Sequence, residues 1–194
     1  MRARSNGSVG YAVRTRLIGV CVAFLGVTSA FSVPLDAGVV ISEIHYHPPR
    51  PDGQRLEFVE IHNPDPIELS VEGWRFEDGI RFTFPEGANI SPGGYLVVCA
   101  DSAAFEKDPI PGGSTLLLGD FQGSLANQGE SIVLRDNVGA IVDVVVYDDS
   151  APWPTGADGQ GFSLNRVCLT ASSLDPANWE DSAPTPASLL YTSP

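Results

Sequence analysis

Three histidines and two acids crowd one short stretch of the chain: Glu43, His45, His47, Glu60 and His62. Neutral imidazole together with carboxylate is the ligand chemistry of zinc. On an extended strand, residues two apart point to the same side, so Glu43, His45 and His47 share one face and Glu60 and His62 share another. If the two segments pair, His45, His47, Glu60 and His62 are candidate ligands for a divalent metal, and a metal held there would suit hydrolysis. The plainer account is favoured: a polar face of an edge strand on which histidines and acids pair across the ladder. Loop acids such as Asp52, Asp120, Asp148, Asp149 and Asp158 raise calcium as a second candidate, but Asp158-Gly159-Gln160-Gly161 is only a fragment of a calcium-loop spacing. Catalytic patterns fail in turn. The chain has no Gly-x-Ser-x-Gly, no His-Glu-x-x-His, no Cys-x-x-Cys and no phosphate loop. No catalytic residue and no cofactor is assigned beyond that candidate divalent metal.

The elements that must carry these residues are strands. Residues 39–47 are β-branched and aromatic and stop at Pro48-Pro49. Residues 57–63 alternate up to Pro64. In 80–84, Ile80, Phe82 and Phe84 face one side and Arg81 and Thr83 the other. Residues 95–99 are apolar on both faces, which predicts an interior strand. Ser102 to Glu106 has room for one helical turn capped by Ser102. The strongest hairpin signal joins 131–135 to 141–147 through the polar loop 136–140. A last strand falls at 161–167. Short strands separated by turns predict an all-β antiparallel sandwich. Trp74 reads as core; Trp153 and Trp179 read either as packing over an end of the sandwich or as exposed indoles for a sugar or peptide.

Charge and composition narrow the setting. The 194 residues carry 24 acids against 11 bases, a formal charge of −13. Residues 1–30 hold four arginines and no acid, then an 11-residue apolar run at 17–27 and the small residues Thr28-Ser29-Ala30. That run is too short to span a bilayer as a helix; the whole reads as a cleaved secretory signal. Without it, seven bases face 24 acids, a formal charge of −17. Such a surface repels nucleic acid and anionic lipid, and no other run has transmembrane length. The expected organisation is a signal peptide at 1–30, a short segment at 31–37, a sandwich at 38–168 and a Pro/Ala/Ser-rich tail at 169–194. Cys99 and Cys168 either pair or remain two thiols. A bridge closing so long a loop would contribute about 4 kcal/mol in the chain-entropy account, and spacing alone leaves both states open.

Several segments, in order, resemble the lamin tail domain in its bacterial secreted form. Val40-Ile41-Ser42-Glu43-Ile44-His45-Tyr46 and Glu57-Phe58-Val59-Glu60-Ile61-His62-Asn63-Pro64 resemble its opening strand and its Glu-aromatic-x-Glu-Leu-x-Asn signature, with Ile61 in place of Leu. Gly73-Trp74, Pro92-Gly93-Gly94-Tyr95 and the stretch from Leu125 to Tyr147 follow in the family's order, then Gly161 to Arg166 and the ending Asp175 to Pro186. The resemblance implies an immunoglobulin-like sandwich, no enzyme activity and no universal catalytic residue. The expected function is therefore a secreted or cell-surface, non-enzymatic binding or structural module. Its partner is a protein or polysaccharide of the cell surface, outside the cytoplasm. The alternatives are the metal site at the histidines and an accessory fragment of a larger secreted enzyme.

Overall fold

The computed structural model describes residues 38–107 and 116–185. The expected signal peptide lies outside the described residues. The described residues form thirteen strands: β1 (Val40–His45), β2 (Phe58–His62), β3 (Leu69–Ser70), β4 (Arg75–Glu77), β5 (Ile80–Thr83), β6 (Asn89–Ile90), β7 (Tyr95–Cys99), β8 (Leu116–Leu118), β9 (Gln122–Gly123), β10 (Gly129–Arg135), β11 (Ile141–Asp148), β12 (Ser163–Arg166) and β13 (Trp179–Ser182). One short helix, α1 (Ser102–Lys107), follows β7.

The strands form a six-stranded sheet ordered β13-β12-β1-β2-β7-β8 and a five-stranded sheet ordered β11-β10-β4-β5-β9, with β3 and β6 as a separate ribbon. Pairing is antiparallel except between β7 and β8. The sheets face each other across one apolar interior. Ile41, Ile44, Val59, Ile61, Leu96, Val98 and Leu164 meet Phe76, Ile80, Ile132, Leu134 and Val145. This is the all-β sandwich that the alternating patterns predict, of the immunoglobulin-like kind that the family resemblance implies. Ile41 and Ile44 both reach the interior although they are three positions apart. The β1–β2 register slips between Ile41 and Glu43, and this bulge restores the alternation.

The outer face of the six-stranded sheet carries a second apolar cluster where α1 lies on β2 and β7: Leu56, Phe58, Val97, Cys99, Ala104 and Phe105. That cover explains why residues 95–99 are apolar on both sides. Asp101, not Ser102, caps α1, accepting from the Ala104 amide at 2.9 Å. A buried ion pair crosses the interior. Arg166 on β12 donates to Asp143 on β11 at 2.7 Å, and Asp143 also accepts from the Ile41 amide at 2.9 Å.

The sandwich extends further along the chain than residue 168. β13 pairs along the whole of β12, and Trp179 is buried against Trp153, ring centroids 5.9 Å apart. Asn178 bonds the main chain of Cys168 from both ends of its amide. The 169–185 part of the expected tail is thus structured. Its Ala, Ser and Pro content conceals one aromatic anchor and a four-residue strand. Both tryptophans are buried, so neither is an exposed indole. The candidate disulfide is also corrected: Cys99 is a free, buried thiol. It donates to the Leu118 carbonyl at 3.3 Å, inside the α1 cluster, and burial pushes it up to about 12.

Candidate functional site

β1 and β2 do pair, and the register decides the fate of the expected metal ligands. Glu43 stands opposite Glu60, but His62 stands opposite Val40 and His45 opposite Phe58. His45 and His62 are therefore four residues apart along the ladder, about 13 Å, beyond the reach of one ion. His47 lies past the end of β1, where its Nδ1 meets Asp158 Oδ1 at 2.6 Å. Among the described residues no three His, Cys, Asp or Glu side chains converge as a metal would need. His45, His47, Glu60 and His62 are thus not brought together as a ligand set, because strand pairing separates what sequence proximity suggested.

Each residue of that set has a separate setting. His45 is buried against Phe58, ring centroids 5.4 Å apart. Both its ring nitrogens lack a hydrogen bond, the Leu56 main chain approaching without reaching bonding geometry. Desolvation lowers it to about 4. His62 stacks on Tyr95 at 4.2 Å and donates from Nδ1 to the Gly94 carbonyl; burial lowers it as well. Glu60 accepts from Ser42 at 2.6 Å. Glu43 accepts from Ser163 at 2.5 Å and from the Thr185 amide at 3.0 Å, and desolvation raises it to about 7 in spite of those bonds. Three loop acids of the calcium alternative bond within the chain: Asp120 accepts from the Ser102 amide, Asp148 from Ser150, and Asp158 meets His47.

At one end of the interior, Glu57 accepts from the Leu125 amide at 2.7 Å and is raised to about 7, chiefly by burial. Glu130 accepts from the Ala126 amide at 2.7 Å and from the Tyr147 hydroxyl at 3.1 Å. These bonds anchor the 124–128 segment. Gly129 must stay glycine there, since its φ is +98° and a Cβ would stand 2.4 Å from the Tyr147 carbonyl oxygen.

A concavity lies over the five-stranded sheet. It is a groove of about 800 Å³ running over β4, β5 and β9, bordered by the Asp78-Gly79 turn. Outward-facing Arg75, Glu77, Arg81, Thr83 and Gln122 are among its lining residues. Arg75 and Arg135 clamp the two Glu77 oxygens, each at 2.6 Å, and those cations hold Glu77 below the usual carboxylate range. Arg75 is the cross-strand partner of Arg135 and of Thr83, and Arg81 of Gln122. Arg81 is exposed, and its side chain has no hydrogen bond or ion pair among the described residues. Only Arg81 and Thr83 carried a signal in the sequence, the alternation of 80–84. The Arg75–Glu77–Arg135 clamp needs pairing between residues 58 positions apart and has no local signature.

Among the described residues no helix is long and apolar enough to cross a membrane. No curated protein matches the chain. A solved structure, that of a DUF4876 family protein from Bacteroides thetaiotaomicron, is similar with a TM-score of 0.50 at 12% identity. The likeness covers 78% of this chain and 69% of that one, and it concerns the fold alone. The family model for the Lamin Tail Domain matches residues 34–149, the span that holds the first eleven strands, including both halves of the Glu77 clamp. The chain belongs to the lamin tail domain family.

Proposed function

We propose that the chain is a secreted or cell-surface module that binds rather than transforms, and that it holds its partner, a protein or polysaccharide of the cell surface, in the groove of the five-stranded sheet. The observation that carries this reading is the groove itself. Its polar side chains stand on hydrogen-bonded strands backed by the packed interior, and Arg75 and Glu77 are held by their ion pairs before any partner arrives, which lowers the cost of binding. The basic n-region and short apolar run at the N-terminus support export.

Cosedimentation with the cell-envelope fractions of the producing cells tests the proposal. Saturable retention that drops for the double variant R81A/T83A is the expected result. Absence of saturable retention in every fraction, or turnover of an envelope component by the purified protein, overturns it.

A further inference from the structure

We infer that the groove takes a carboxylate-bearing polysaccharide, an inference that rests on the binding reading above. Three of the seven basic residues from position 38 onward, Arg75, Arg81 and Arg135, share the outer face of one sheet in an otherwise acidic protein. Two of them are committed to a single acid, Glu77, which leaves that cluster with one surplus positive charge. The side chain of the third, Arg81, has no partner among the described residues. A planar guanidinium with its donors open matches a carboxylate in a two-point contact. Glu77 holds the Arg75 side chain in place, and Arg75, opposite Thr83 on the neighbouring strand, has its backbone about 8 Å from that of Arg81 by strand spacing and rise. Asp78 at the turn is the opposing charge on the groove's rim.

The remaining lining chemistry favours a sugar chain over a protein surface. Thr83 and Gln122 are exposed and offer a hydroxyl and an amide, which both donate and accept, as sugar hydroxyls require. A protein interface of useful strength has an apolar centre, whereas the outward-facing positions of β4 and β5 are Arg75, Glu77, Arg81 and Thr83. The exposed apolar side chains of this sheet, Ile141 and Val146, lie on β11, three strands from β5. The protein as a whole is anionic, so attraction is confined to short range. At about 0.15 M salt the screening length is roughly 8 Å, enough to separate the groove's arginines from most of the acidic surface.

Affinity electrophoresis of the full chain, as recovered from its producing cells, tests this with polygalacturonate, alginate and neutral dextran as probes. The expected result is retardation by the two uronate polymers and not by dextran, weakened about tenfold in R81Q and unchanged in K107Q, whose site is on α1 at the other sheet. Because Arg81 is exposed, R81Q retains the wild-type melting temperature; T83R, which adds a guanidinium beside it, strengthens retardation. Equal retardation of wild type and R81Q, or retardation by no uronate, overturns the inference. If dextran or an envelope protein binds instead, with loss in R81A/T83A, the carboxylate assignment fails while the binding reading stands. Loss of envelope retention as well removes both.

Discussion

His45 shows how a residue suited to chemistry can be spent on none. Its imidazole packs on Phe58 of the α1 cluster with two nitrogens that bond nothing. An unsatisfied buried polar group costs about 1–3 kcal/mol, so H45F, which keeps an aromatic ring in the site, is expected to raise stability by about that much at pH 7. The gain should widen on acidification. The unfolded chain takes up a proton near the ordinary 6.5, while the folded chain refuses it until about 4. Wild-type stability is therefore lost as pH falls from 6.5 towards 4, and the variant escapes that loss. Urea unfolding of both proteins at pH 7 and pH 5 decides it; an equal stability difference at both values would contradict the assignment. His47 differs in kind, because it is half-exposed and held by Asp158 rather than buried alone. Glu43 and Glu60 differ again: they are opposed acids, each satisfied by a serine on its own sheet.

Among elements, β13 is the one whose removal tests the revised boundary. It contributes the outermost ladder of the six-stranded sheet and the Trp179 indole, which donates to the Ser173 carbonyl at 2.9 Å. Burying a tryptophan and then truncating it costs about 3–5 kcal/mol. W179A is thus expected to fold with a strongly lowered melting temperature, and a chain ended at Cys168 to be recovered aggregated. Wild-type melting of the truncated chain would restore 169–194 as a dispensable tail. The 172–174 turn has a second task at the far edge of the other sheet. β11 is eight residues long and β-branched, the kind of edge that recruits other strands. Ser173 caps the Val144 carbonyl at 2.7 Å and Asp143 takes the Val144 amide at 3.0 Å, which interrupts that edge at its middle. Local patterns made much of this legible. The 80–84 alternation, the 131–147 hairpin and the doubly apolar 95–99 strand each depend on neighbours in sequence. The bulge beside Ser42, the β1–β2 register and the β13 strand depend on partners far away, and they decided the histidine set and the boundary. The groove was half legible: Arg81 and Thr83 were outward from the pattern, but only the β10–β4 pairing supplies Arg135 to Glu77.

At the level of the whole molecule, opposing groups set the pH dependence of stability. Glu43 and Glu57 are raised from 4.5 to about 7, so between those values the folded chain keeps protons that the unfolded chain has released. Their effect is a loss of stability as pH rises from 4.5 through 7. His45 and His62 are lowered and act in the other direction below 6.5. The two effects oppose each other from 4.5 to 6.5, and above 6.5 the carboxyl effect stands alone. The wild-type melting temperature is expected to fall between pH 6.5 and 8 and then level off, with the fall largely absent in E43Q/E57Q. Differential scanning calorimetry across that range checks this, and an identical slope in the double variant would count against both assignments.

The position of β1 has one more implication. It lies between β2, which follows it closely, and β12, about 120 residues later. One flank of the first strand therefore stays bare until the last quarter of the chain has been made, and the Ile41–Asp143–Arg166 link waits just as long. The strands up to β11 can pair before then, but the six-stranded sheet and its tie to the five-stranded one are completed only by β12 and β13.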